Sequence, residues 1–168
     1  MRLNSKKLLI LLCLFPVACM GRYRVGTATV IEQNGLPCFS VNDGLVTTGV
    51  EAVNVFDNTS AQSKSVWKVL AALDKKLSQS PDICIPYGKK FNDTDIKSEY
   101  SKPAEPLSVG KVYDVVVMSP LKDSTDPTHN FRAKFCLKNK PNTTGFNVYQ
   151  IQWDAKQSRW NSDVCSEK

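Results

Sequence analysis

The alternation of apolar and polar residues along this chain is, for most of its length, that of β-strands. Across Asn130–Lys138, Phe131, Ala133, Phe135 and Leu137 fall on one side, with Arg132 and Lys134 on the other. That is the period of two a half-buried strand requires. Lys111–Met118 is rich in β-branched residues and almost continuously apolar, which predicts a central strand. Glu51–Phe56 sets Val53 and Val55 opposite Ala52, Asn54 and Phe56. Val25–Glu32 contains Thr27, Thr29, Val30 and Ile31, and Asn34-Gly35 then supplies hairpin-turn residues ahead of Leu36–Val41. Gly145–Trp153 places Asn147, Tyr149, Ile151 and Trp153 on one face, and a last short strand is expected around Arg159–Trp160.

The segment 65–77 reads two ways. Val66, Val69, Leu70, Leu73 and Leu77 follow helical spacing, whereas Ser65–Leu70 also reads as a strand with Asp74-Lys75-Lys76 as the turn after it. The neighbouring segments are strands, and strand is the expectation taken. Glu99–Ser108, with Pro103 and Pro106, and Lys122–His129, with Asp126-Pro127-Thr128, are expected loops. Many short strands separated by Pro and Gly turns predict an all-β fold, a single antiparallel β-sandwich of immunoglobulin-like kind. Trp67, Trp153 and Trp160 sit on expected strands and are expected in its core.

The amino terminus departs from this pattern. Arg2, Lys6 and Lys7 precede the apolar run Leu8–Phe15, and Pro16-Val17-Ala18 leads into Cys19. A charged start, a short apolar stretch and small residues at a cleavage site predict a secretory signal peptide. A cysteine right after Ala18 makes the segment resemble a bacterial lipoprotein signal, with cleavage before Cys19 and acylation of its thiol. Met20, rather than Asp, follows that cysteine, which favours the outer membrane under the bacterial sorting rule. The expected organisation is a signal peptide over 1–18, an acylated cysteine with a short tether over 19–26, and the β-sandwich over 27–168. Removing 1–18 takes three basic residues and no acidic ones. The balance of 22 basic against 16 acidic residues becomes 19 against 16, so a net charge of +6 falls to +3. A charge of that size is ordinary for a soluble surface and gives no basic stripe of the kind nucleic acid demands.

The chain has six cysteines. With Cys13 removed and Cys19 acylated, Cys38, Cys84, Cys136 and Cys165 remain, an even set that predicts two disulfides in an exported protein. Spacing does not choose among the three possible connectivities. Cys38 alternates with Phe39 and Val41, and Cys136 falls on the Arg132/Lys134 side of its strand, so both point away from the main core face. Each bridge is then expected to staple a neighbouring segment onto the outside of a sheet, and Cys38–Cys84 with Cys136–Cys165 is the pairing expected. No C-x-x-C pair exists and His129 is the one histidine, so neither a metal site nor a cofactor is expected. No nucleophile elbow, phosphate loop or dinucleotide fingerprint nominates an enzyme. Asn58, Asn92 and Asn142 begin glycosylation sequons, expected to be incidental behind a bacterial signal.

One series of short motifs is more specific. It runs Asn34-Gly35-Leu36-Pro37-Cys38-Phe39-Ser40, Cys84-Ile85-Pro86-Tyr87-Gly88, Gly110-Lys111-Val112-Tyr113, Asp126-Pro127-Thr128, Phe131-x-Ala133-x-Phe135-Cys136-Leu137 and Trp153. With the lipobox and Gly21-Arg22-Tyr23 before it, the series resembles the type VI secretion immunity periplasmic lipoproteins of enterobacteria and their relatives. The resemblance spans nearly the whole mature chain apart from 43–80. It implies a lipid-anchored periplasmic protein that binds and neutralises an effector toxin delivered by a neighbouring cell. Specificity is then expected in the loops Asp43–Gly49, Lys89–Ser108 and Lys122–Asn130, with His129, Lys122, Lys89 and Lys90 as partner-binding residues. A small-molecule substrate is not expected. The rival readings are an envelope assembly lipoprotein and a periplasmic inhibitor of host lysozyme or protease. A lysozyme inhibitor calls for an acidic key, which the mature charge disfavours.

Overall fold

A computed structural model describes residues 25–42, 49–59, 62–120, 129–141 and 145–166 of the chain. The fold is all-β. Its strands are β1 (Val25–Thr27), β2 (Thr29–Gln33), β3 (Leu36–Ser40), β4 (Ala52–Asp57), β5 (Lys64–Leu70), β6 (Ile85–Pro86), β7 (Val112–Ser119), β8 (His129–Asn139), β9 (Phe146–Ile151), β10 (Trp153–Asp154) and β11 (Arg159–Trp160). Short 3-10 turns cover Ser98–Tyr100 and Ser162–Cys165.

The larger sheet runs β5-β4-β7-β8, and the far edge of β8 is shared by β1 and β9. β1 pairs with Asn130–Arg132 and β9 with Lys134–Asn139. The smaller sheet is β2-β3-β6. Its hairpin turns at Asn34 (φ 52°) and Gly35 (φ 76°), two successive left-handed residues as a type I′ turn requires. The strand expected from Val25 to Glu32 is in fact divided at Ala28, where the chain crosses from one sheet to the other. The Ala28 N–H donates to the carbonyl of Arg132 at 3.0 Å, and Gln150 Nε2 donates to the Ala28 carbonyl at 3.1 Å. β1 pairs with β8 in parallel, while the other pairings among the described strands are antiparallel. Val25 and Gly26, expected in the tether, belong to β1; Gly26 lies close against β8, where a Cβ would stand 2.3 Å from the Phe131 ring. Segment 64–70 is a strand and no helix forms over 65–77, because Val53, Val55 and the apolar side of β5 pair in one sheet.

The two sheets face each other across an aromatic core, as a sandwich. Phe39 of β3 meets Phe135 of β8 at 5.5 Å and Trp67 of β5 at 6.2 Å, and Tyr113 of β7 stacks on Phe135 at 5.4 Å. The alternation of β7 is complete: Tyr113, Val115, Val117 and Ser119 are buried while their neighbours are not. Phe131, Ala133, Phe135 and Leu137 of β8 are buried as their period requires.

Both disulfides expected from the facing of the cysteines are present. Cys38–Cys84 ties β3 to the segment entering β6, and Cys136–Cys165 ties β8 to the C-terminal 3-10 turn. The second bridge builds a small core of its own on the outer face of the large sheet, where Cys136, Ile151 and Cys165 are buried against Val112, Trp160 and Val164. Disulfides of this kind belong to an oxidising, non-cytoplasmic compartment. No helix among the described residues is long and apolar enough to cross a membrane.

Candidate functional site

The edge strand β5 is covered by the segment 95–105, which runs beside it as a strap. Lys68 and Lys102 exchange backbone hydrogen bonds at 3.1 and 2.7 Å, Lys97 N–H donates to the Leu70 carbonyl at 2.9 Å, and Glu105 N–H donates to the Val66 carbonyl at 2.9 Å. Pro103 cannot donate to a ladder, so the strap is pinned at points rather than zipped as a strand. The loop after β6 approaches the strap closely. Gly88 has φ 73°, and a Cβ there would stand 3.2 Å from Ala104 Cβ. Tyr87 anchors the two together: its hydroxyl donates to the Glu105 carbonyl at 2.6 Å, its ring meets Trp67 edge-on at 5.2 Å, and burial pushes its phenol pKa up.

Between β5, this loop and the strap lies an open-sided cleft of about 520 Å³. Its apolar lining comes from Trp67, Val69, Phe91, Ile96, Pro103 and Ala104. Its charged lining is Lys68, Lys89, Lys90 and Lys102, with no Asp or Glu among the lining residues. Lys102 pairs with Glu105 at 2.8 Å, and Glu105 also meets Lys64 at 2.7 Å, which together hold the Glu105 carboxyl below its ordinary pKa. Lys89 lies over the Phe91 ring, 4.9 Å from its centroid. Lys68, Lys89 and Lys90 have no carboxylate partner among the described residues. Such a combination of apolar floor and uncompensated cations favours an anionic ligand group beside an apolar one.

A second cleft, of about 300 Å³, lies on the outer face of the large sheet, among Phe56, Asp114, Val116, Arg132, Lys134 and Trp160. Two of its charges are paired with each other. Lys134 pairs with Asp114 at 2.8 Å, and Asn58 donates its amide to the same carboxylate. Of the three tryptophans expected in the core, Trp67 is buried, but Trp153 is 52% exposed and meets half-buried Trp160 at 5.5 Å. Both stand on the two-stranded β10–β11 ribbon, apart from the main core, where Trp160 packs against the small Cys136–Ile151–Cys165 core.

The expected partner residues separate in space. Lys89 and Lys90 line the lysine cleft. His129 is the first residue of β8, opposite Ser119 of β7. Cys19, Lys122, the signal peptide 1–18, residues 43–48 of one expected specificity loop and Asn142 of the third sequon lie outside the described residues. Sequence reading missed Lys68, Lys102 and the Trp67 floor, which join Lys89 and Lys90 through pairings that no local pattern encodes. Among the described residues no cluster of His, Cys, Asp and Glu is arranged to hold a metal. Comparison of the chain with protein-family models, curated proteins and solved structures finds no match. The resemblance to immunity lipoproteins therefore stands on the quoted motifs alone.

Proposed function

We propose that this protein is a lipid-anchored periplasmic lipoprotein that binds and neutralises a type VI secretion effector toxin. The observation that carries the proposal is a cleft lined by lysines and apolar side chains, held open on a disulfide-stapled β scaffold. Neutralisation by occlusion needs a rigid complementary surface of about 800 Å² per partner rather than reactive groups. The Cys38–Cys84 bridge, the Tyr87 hydroxyl and the strap hydrogen bonds supply the rigidity. Cys19, acylated once residues 1–18 are removed, supplies the anchor, and three acyl chains bury far more CH₂ groups than the single chain that gives marginal binding. A cationic cleft disfavours the reading as an inhibitor of host lysozyme, since lysozymes are themselves strongly basic.

The test is a competition between sibling cells. Deleting the gene from a strain that encounters the effector should make that strain sensitive to contact killing, and the exported protein should restore survival where a cytoplasmic version without the signal does not. Undiminished survival of the deletion strain, with the effector demonstrably delivered, would refute the proposal.

A further inference from the structure

We infer that the cleft between β5 and the 95–105 strap binds an acidic, extended segment of a protein partner that carries an apolar side chain. This deepens the effector-binding reading by naming the chemistry of the partner's segment. The cations stand on three separate stretches of chain: Lys68 on β5, Lys89 and Lys90 on the loop after β6, and Lys102 on the strap. They therefore surround a concavity instead of forming a flat raft, and a protruding peptide segment fits a concavity where a planar bilayer does not. Glu105 pairs with Lys102 from outside the lining, which leaves Lys68, Lys89 and Lys90 as the cations without a carboxylate partner beside low-dielectric apolar walls.

The apolar floor adds a second requirement. Trp67 and Val69 are buried beneath it, and the accessible apolar surface comes from half-buried Phe91 and Ile96 and from exposed Pro103 and Ala104. A purely acidic segment leaves this floor wet. One with an apolar residue among its carboxylates covers it, while the carboxylates meet Lys68, Lys89 and Lys90. Each such rim pair is weak alone, and the set sets partner choice and encounter rate.

The experiment uses the full-length oxidised protein in detergent and a fluorescein-labelled peptide of sequence Asp-Glu-Phe-Glu-Asp, followed by anisotropy. The probes compared with it are Asp-Glu-Ala-Glu-Asp and Lys-Lys-Phe-Lys-Lys. The acidic phenylalanine peptide should bind best, the alanine peptide several-fold more weakly, and the basic one not at all. The double variant Lys89→Glu/Lys90→Glu should weaken binding by about tenfold, whereas Lys156→Glu, an exposed change on the β10–β11 ribbon, should leave it unchanged. Equal loss in both variants, or none in either, would overturn the inference. So would absent peptide binding together with a Lys89/Lys90-dependent gain in flotation with phosphatidylglycerol over phosphatidylcholine vesicles, which would assign the cations to a lipid surface. The two readings fail separately. Capture of the toxin by wild type and double variant alike removes the cleft and keeps the function, while peptide binding at the cleft without protection from killing does the reverse.

Discussion

Asp57 shows how single polar residues brace the sheet ends. Its carboxylate accepts from the Thr59 hydroxyl and backbone N–H and pairs with Lys111 at 2.9 Å, and these contacts lower its pKa to about 2. A folded-state pKa below the usual carboxylate value means the contacts stabilise the protein fully above about pH 4 and lose that effect as pH falls toward 2. Asp57→Asn should therefore cost about 1 kcal/mol in denaturant unfolding at pH 6, and the difference from wild type should shrink as pH falls through about 2 and vanish below it. Gly49 is constrained more severely. A Cβ at this buried position would stand 1.6 Å from the backbone carbonyl oxygen of Ser78, which no side-chain rotation relieves. Gly49→Ala should destabilise by at least about 2 kcal/mol, seen as a lower denaturant midpoint with an unchanged m-value.

Among the elements, the two disulfides close sequence separations of 46 and 29 residues. Loop-closure entropy grows slowly with length, so removing either pair should cost a similar amount, about 3–4 kcal/mol. The consequences should differ in place. Replacing Cys136 and Cys165 by Ala should release amide protection around the 3-10 turn at 162–165 and the β10–β11 ribbon. Replacing Cys38 and Cys84 should loosen β3, β6 and, through Tyr87, the wall of the lysine cleft; hydrogen exchange distinguishes the two patterns. This scale was also the most legible in the sequence. The alternation of β8, the β-branched run of β7 and the Asn34-Gly35 turn are local signals, and the facing of Cys38 and Cys136 reads directly from the same period of two. The division of 25–32 at Ala28 was not legible, because both halves alternate well and only contacts with Arg132 and Gln150, more than a hundred residues away, separate them.

For the whole molecule, the cleft was half legible. Lys89 and Lys90 stood out as a charge pair in a loop, but their company with Lys68, Lys102 and Trp67 depends on the strap docking along β5, a long-range pairing. Trp153 misled for the converse reason: a strand pattern says nothing about whether another layer covers it. The resulting molecule is a two-sheet sandwich with its core aromatic residues inside, a disulfide-pinned C-terminus on one outer face and a cationic cleft at one edge. Its proposed task is to seize a toxin that reaches the periplasm. The most direct measurement mixes the oxidised, tagged protein with the secretions of a killing-competent sibling strain, identifies what co-purifies, and assays that species for toxicity with and without an equimolar amount of the protein. Recovery of one secreted toxin whose activity falls away on stoichiometric addition is the result expected. Recovery only of resident envelope proteins, or of a toxin that stays fully active when bound, would contradict the account.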